Sequence, residues 1–261
     1  MKKAILAVSF GSSVEQTRQR EIIAVEQAIS AAAGGIPLYT AYTSPTIRRI
    51  LAKRGVIVPD VRQALEQLAE QGIREVYIQP THLLYGYEYE KLQDTARQMQ
   101  GQFQLLRLGS PLIAGTEALI ELTAILGERF PKEPGQRVVL LGHGTGHFAN
   151  FVYPAMQAVF HMAGREDVLI GTIEGWPGFD QVQRQLMAGE AKKVVLAPLL
   201  LTAGEHARED MAGENPASWM MRLCALGFSV QPVIEGLGAN KKVQAMYAAH
   251  LGRLLEGEDQ K

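Results

Sequence analysis

The sequence predicts an α/β protein of two similar lobes, each a mostly parallel sheet flanked by helices, with a cleft between them. Three observations lead there. Short apolar runs alternate with amphipathic helical stretches along the whole chain, and strands separated by helices of this length pair parallel through right-handed crossovers. The segment E-V-Y-I-Q-P-T-H-L-L-Y-G-Y-E-Y-E-K at 75–91 matches K-V-V-L-A-P-L-L-L-T-A-G-E-H-A-R-E at 193–209. There Pro80 aligns with Pro198 and Gly86 with Gly204, both at an offset of 118 residues. Between the halves, F-P-K-E-P-G-Q-R at 130–137 carries two prolines and a glycine and reads as the boundary, giving lobes over 1–130 and 138–261.

Each element has its own signal. Ala4–Val8 is a short apolar strand; Val14–Ala33 places Ile22, Val25 and Ile29 at helical spacing and stops at Gly34-Gly35. Leu38–Thr43 reads as the second strand, Thr46–Arg54 as a short helix before Gly55, and 59–70 as a helix with Val61, Ala64, Leu65 and Leu68 on one face. Val76–Gln79 and Phe103–Leu108 are further strands, followed by helices Tyr89–Met99 and Thr116–Phe130. The second half repeats the scheme. Strands Val138–Leu141, Val168–Ile173, Val194–Leu201 and Val230–Ile234 alternate with helices Asn150–Met162, Phe179–Ala188, Ala217–Leu226 and Asn240–Leu255. Ala4–Ser12 also resembles Val138–Thr145, aligning Phe10 with His143 and Gly11 with Gly144 at an offset of 133 residues. The first half therefore holds about 15 extra residues, expected in Arg48–Val61, and an internal duplication is the simplest account.

Composition narrows the function. Net charge is −1, from 26 basic and 27 acidic residues, which gives no support to nucleic-acid binding. The single cysteine, Cys224, excludes an internal disulfide and a thiolate metal cluster, and fits a reducing compartment. The start M-K-K-A-I-L-A-V-S-F-G-S-S has the outline of a signal peptide, yet its apolar run of about seven residues reads better as a buried strand. No stretch approaches the roughly 20 apolar residues that cross a bilayer. The expectation is a cytoplasmic protein without membrane contact.

Parallel α/β sheets bind ligands beyond the C-terminal ends of their strands. Ser9–Ser13, Thr81–Glu90, Gly142–Asn150 and Thr202–Glu209 fall there. His143 lies in G-H-G-T-G-H, where flanking glycines permit a sharp turn; its imidazole can take a proton or bind a divalent metal. The plainer reading is a turn histidine bonded to a neighbouring carbonyl. His206 and Glu88 occupy one position of the paired segments; singly, each reads as a residue in the first turn of a helix. Together, two imidazoles and a carboxylate suit a borderline divalent metal such as Co, Ni, Fe or Zn. His147 has the H-x-x-x-H spacing from His143, but Gly144 and Gly146 argue against the helix that spacing needs, so a substrate contact or structural role is expected. His82, His161 and His250 read as structural. The amides of Ser9–Ser13, Gly11 included, could cradle an anionic group. No G-x-G-x-x-G, Walker lysine, G-x-S-x-G or C-x-x-C is present.

Several motifs carry a family resemblance: K-K-A-I-L-A-V-S-F-G-S-S, I-Q-P-T-H-L-L-Y-G-Y-E-Y-E-K, G-H-G-T, A-P-L-L-L-T-A-G-E-H-A-R-E-D-M-A, S-W-M-M-R-L and E-G-L-G-A-N. In this order they resemble the anaerobic cobalt chelatases of the CbiK type, within the class II chelatase and ferrochelatase-like group. The resemblance implies two α/β lobes around a tetrapyrrole cleft and a lyase-type reaction. In it, Co2+ enters sirohydrochlorin (or factor II) on the oxygen-independent route to cobalamin. It implies His143 as the catalytic histidine of G-H-G, His206 as the histidine of A-G-[DE]-H-A and Glu88 as the acid of G-x-E-Y-E-K. These three would present the metal, with His143 also accepting pyrrole protons. Tyr87 and Glu205 stand where family members can carry Asp. Ser9, Gly11, Ser12, Thr145 and His147 are the expected substrate contacts for the eight carboxylates of the tetrapyrrole. Arg48, Arg49, Lys53 and Arg54 read as a solvated helix face. Insertion of Fe2+ or Ni2+ is the alternative on the same site, and a non-catalytic two-lobed tetrapyrrole or metal carrier is the alternative of another class. A homo-oligomer is compatible with the sequence.

Overall fold

The computed structural model describes residues 2–205 and 207–257, so His206 lies outside the described residues. One four-stranded sheet holds β1 (Lys3–Ser9), β2 (Leu38–Tyr42), β3 (Glu75–Pro80) and β4 (Leu105–Leu108), in the order β2-β1-β3-β4. The other holds β5 (Gln136–Gly142), β6 (Val168–Thr172), β7 (Lys193–Pro198) and β8 (Ser229–Pro232), in the order β6-β5-β7-β8. All neighbours are parallel. The central strands read as unbroken apolar runs, and Ala4–Val8 and Val138–Leu141 are buried along their length. A parallel sheet covered by helices on both faces requires that pattern.

The repeat survives at the level of register. In one sheet Val8 lies opposite Pro80, and in the other Leu141 lies opposite Pro198. The sequence offsets of 133 and 118 carry every pair of the β1–β3 ladder onto the β5–β7 ladder. The hydrogen bonds just beyond match too: the Thr81 amide donates to Val8 O and the Leu199 amide to Leu141 O, both at 2.8 Å.

The helices follow their local signals. A continuous helical run comprises α1 (Glu15–Thr17), a π-helical segment Arg18–Ile23 and α2 (Ala24–Ala32), where a single uninterrupted helix is expected. Ser44 caps α3 (Pro45–Lys53) by accepting from the Ile47 amide, and a proline opens the first turn. Asp60 and Gln63 form a capping box on α4 (Val61–Glu70), whose Val61, Ala64, Leu65 and Leu68 are buried. The extra helix of the first half is α3: α3 and α4 join β2 to β3, whereas α8 (Phe179–Met187) joins β6 to β7. The remaining helices are α5 (Tyr87–Met99), α6 (Thr116–Arg129), α7 (Val152–Met162), α9 (Trp219–Ala225) and α10 (Lys241–Glu256).

The compact units differ from the lobes expected at 1–130 and 138–261. Unit 1 comprises 1–114 and 238–261, and unit 2 comprises 115–237. Packing draws these boundaries. Helix α6 packs against α7, and the Arg165 guanidinium donates to Gly127 O and Phe130 O at its end. Helix α10 packs on α2 and β3, burying Val243, Met246, Tyr247, Leu251 and Leu254. The Tyr247 hydroxyl donates to Thr81 O at 2.7 Å, tying the closing helix to the end of β3. The proline-rich stretch 130–137 is therefore a connection inside unit 2. Among the described residues, no helix is long and apolar enough to cross a membrane.

Candidate active site

In each sheet the chain order reverses beside the central strand, between β1 and β3 and between β5 and β7. Ligands of open parallel sheets bind beyond the C-terminal ends of the strands at such a switch point.

In unit 2, β5 ends at Gly142 and the chain turns through His143 and Gly144. Two glycines make this turn feasible. A Cβ at Gly142 would stand 2.2 Å from the Tyr153 ring; Gly144 has φ +80, and a Cβ there would stand 2.3 Å from the Gly175 amide nitrogen. The buried Tyr153 hydroxyl accepts from the Gly144 amide at 3.2 Å. The His143 side chain is left 40% exposed. Its Nδ1 lies 3.1 Å from Gly144 O, so it donates there, and the lone pair of the neutral ring falls on Nε2. The carbonyl bond of the plainer reading is thus present. The same bond is what fixes the tautomer of a metal-binding imidazole.

His143 Nδ1 also lies 3.8 Å from Glu174 Oε2, and the Glu174 amide donates to His143 O at 2.8 Å. Glu174 follows β6 and was not among the sequence candidates. Its signal is faint. The β1–β2 and β5–β6 ladders align Glu174 with Ser44, since the Ser44 amide bonds Phe10 O as the Glu174 amide bonds His143 O. In unit 1 that position caps the inserted helix α3, so the repeat shows no second carboxylate there.

The loops after β5 and β6 are zipped together. The Thr145 amide donates to Asn150 Oδ1, and Asn150 Nδ2 donates to Trp176 O at 2.7 Å. Thr145 Oγ1 accepts from the His147 amide. His147 is buried, and its Nδ1 accepts from the Ala149 amide at 3.1 Å, capping the 3-10 turn Phe148–Phe151. That bond gives His147 a structural role in this turn.

In unit 1 the expected substrate contacts are partly absorbed by the fold. Ser9 has no exposed surface and its hydroxyl bonds Thr81 Oγ1 at 2.8 Å, so its side chain serves the sheet. Gly11 has φ +99, with a Cβ position 2.7 Å from the Tyr42 ring, which makes it a requirement of the turn. Ser12 is buried and its Oγ accepts from the Val14 amide at 3.3 Å, opening the helical run. The basic cluster on α3 is engaged too: Arg48 pairs with Asp60 at 3.2 Å, and Arg54 donates to Ser13 O at 2.6 Å. Glu88 stands in the first turn of α5, 36% exposed, with Lys91 Nζ at 2.7 Å. His82, two residues beyond β3, has both ring nitrogens sealed from solvent without a hydrogen-bond partner. Burial lowers its pKa to about 4, against a smaller opposing pull from the Glu88 charge. Among the described residues no three His, Cys, Asp or Glu side chains cluster as a metal site. At the end of β5 the described residues bring His143 and Glu174 together.

The family model described as cobalt chelatase (CbiK) matches residues 3–256. The chain belongs to the cobalt chelatase (CbiK) family. Its relatives include a sirohydrochlorin cobaltochelatase of Salmonella typhimurium, 37% identical over 259 residues and covering 98% of this chain and 97% of the relative. Another is the sirohydrochlorin cobaltochelatase CbiKC of Nitratidesulfovibrio vulgaris, 33% identical over 254 residues, covering 96% of this chain and 89% of the relative. Among solved structures, SirB from Bacillus subtilis with Fe3+ superposes at a TM-score of 0.66 with 16% identity, covering 99% of each chain. CbiX, the terminal enzyme for biosynthesis of siroheme in denitrifying bacteria, superposes at 0.53 with 18% identity, covering 95% of this chain and 98% of its own. At such identities the two structures speak for the fold, and the CbiK-family chain has the two-sheet α/β fold its sequence predicts.

Proposed function

We propose that the protein is a sirohydrochlorin cobaltochelatase, inserting Co2+ into sirohydrochlorin with release of two protons. The observation that carries this reading is the His143–Glu174 pair at the switch-point end of β5, in a chain of the CbiK family. The naming of the two relatives supports the substrate and the metal.

The chemistry follows from what these side chains can do. Metallation exchanges two pyrrole N–H protons for one M2+, with no change of oxidation state. A metal in transit has to be held by few ligands, because a closed four-ligand cage retains its ion. An imidazole and a carboxylate suit Co2+ and leave most of its coordination positions to water and the incoming nitrogens. With Nδ1 committed to Gly144 O, Nε2 is the ring atom for metal or proton. Glu174 stands beside the ring that takes a pyrrole proton. His206 and Glu88 enter the same proposal from their motifs. The carboxylates of the tetrapyrrole fall to backbone amides and polar side chains at the strand ends, Gly11, Ser12 and Thr145 among them.

The test is anaerobic metallation of sirohydrochlorin under limiting metal, with Co2+, Fe2+ and Ni2+ in parallel, followed by absorbance. Co2+ is expected to enter fastest. Faster entry of Fe2+ or Ni2+ overturns the cobalt assignment, and binding without insertion of any metal makes the protein a carrier.

A further inference from the structure

Three aromatic side chains stand out on unit 2 because the fold leaves them in solvent: Phe148 is 71% exposed, Phe151 75% and Trp176 55%. A ring wholly dedicated to the core would be covered, as Phe179 and Trp219 of the same unit are. Isolated exposed apolar residues are ordinary, but several in one place mark a binding surface.

The three lie on two loops that are hydrogen-bonded to each other. Phe148 and Phe151 end the 3-10 turn that His147 caps, and the Phe148 ring lies 4.3 Å from the His147 ring. Trp176 sits on the loop after β6, whose carbonyl accepts from Asn150 Nδ2 inside the Phe148–Phe151 turn. The same two loops carry His143 and Glu174. They approach so closely that a Cβ on Gly175 would stand 2.9 Å from Gly144 Cα and 2.4 Å from Asn150 Oδ1. Trp176 is thus one residue from the contact that seats the His143 turn. The segments are held by hydrogen bonds on both sides, so the rings are exposed on a built platform: Thr172 donates its amide to Pro177 O at 2.7 Å, and Asn150 joins Thr145 to Trp176.

From this juxtaposition we infer that Phe148, Phe151 and Trp176 form an aromatic platform for the apolar plane of the tetrapyrrole, placing it against His143 and Glu174. The inference rests on the chelatase reading, and commits the surface to the macrocycle because the two loops that carry the rings also carry His143 and Glu174. A conjugated macrocycle has wide π faces and carries its carboxylates on the periphery. Stacking on aromatic side chains therefore holds the plane while the polar strand ends take the rim. The three rings act as positioning residues, since the metal and the protons pass through His143 and Glu174.

The experiment compares sirohydrochlorin binding and turnover in the parent and in F148A/F151A, W176A, W176F and the triple alanine variant. The chain has two tryptophans, exposed Trp176 and buried Trp219, so quenching of Trp176 reports metal-free binding in the parent and in F148A/F151A. Absorbance titration serves the others, and thermal melts check folding. The substituted side chains are mostly in solvent, so stability is expected to hold within the range of ordinary surface changes. Removal of an aromatic stacking partner is expected to raise the Kd and KM for sirohydrochlorin about tenfold for W176A, with recovery to within about threefold in W176F, which restores a ring. The KM for Co2+ is expected to stay within about twofold, a split that a general loss of structure would not give. Parent-like Kd and KM in the triple variant overturn the platform. If sedimentation then shows a parent dimer that the triple variant lacks, the rings belong to a second copy of the chain. A parent that does not bind sirohydrochlorin overturns the chelatase reading and the platform together, whereas a binding parent with indifferent variants overturns the platform alone.

Discussion

In the proposed reaction His143 has two tasks that compete for one atom. With Nδ1 donating to Gly144 O, Nε2 can hold a metal or a proton but not both at once. Glu174 Oε2 lies 3.8 Å from the ring, and in the proposed reaction its charge faces the site of proton transfer. Replacing His143 by Ala is expected to lower the metallation rate by about 100-fold to 10,000-fold, the usual worth of a positioned proton acceptor. Sirohydrochlorin binding should largely persist, and titration of the variant checks both outcomes together. Glu174→Gln keeps size and hydrogen bonding while removing charge. It is expected to slow metallation and weaken Co2+ binding, read as a raised KM for Co2+; an unchanged rate would remove Glu174 from the chemistry. His143 was legible as a candidate in the sequence because glycines flank it at a strand end. Glu174 was not, because its repeat partner Ser44 had been given to a helix cap, and nothing local separates a functional from a solvated carboxylate.

The turn from β5 to the 3-10 segment carries His143. Its amide at Gly144 relies on the buried Tyr153 hydroxyl, whose own pKa burial pushes up. Tyr153→Phe leaves that donor without its acceptor, a loss of about 1–3 kcal/mol. Urea unfolding should show it, and metallation should fall as well because the turn that carries the imidazole loosens. Gly144→Ala should be harsher, as its Cβ has no room beside Gly175 and φ is +80. In unit 1, Asp60→Ala removes a capping box from α4 and should cost about 1 kcal/mol while leaving metallation intact. These elements were readable from local chemistry: apolar runs for strands, helical spacing for α4, glycines for turns. The π-helical segment at Arg18–Ile23 was not, since an extra residue in a helical turn leaves the apolar spacing nearly unchanged.

At the scale of the whole molecule, two buried groups couple stability to pH in opposite senses. Burial raises Glu26 to about 7, against the pull of a Thr40 hydrogen bond and the Arg18 charge. The folded state therefore binds the extra proton between about pH 4.5 and 7, and stability falls as pH rises through that window. His82, lowered to about 4 from 6.5, works the other way: its contribution is complete above 6.5 and is lost as pH falls toward 4. The stability of Glu26→Gln relative to the parent should grow by up to about 3 kcal/mol between these limits, measured by denaturant unfolding at several pH values. A constant difference would contradict the assignment. The closing helix offers a second global test. A chain ending at Asn240 loses the five buried apolar side chains that α10 supplies to unit 1, each worth about 1.5–3 kcal/mol. That sum is comparable to the whole stability of a domain. Proteolysis should then cut first within 1–114, whereas the lobes read from the sequence would place the damage in the C-terminal half. The sequence alone settled the order of strands and helices along the chain and the repeat, because periodicity, turn residues and apolar runs are local. Tertiary structure decided which unit α6 and α10 complete, that Ser9 serves the sheet, and that Glu174 stands beside His143. Those outcomes depend on contacts between residues far apart in the chain, which local chemistry does not encode.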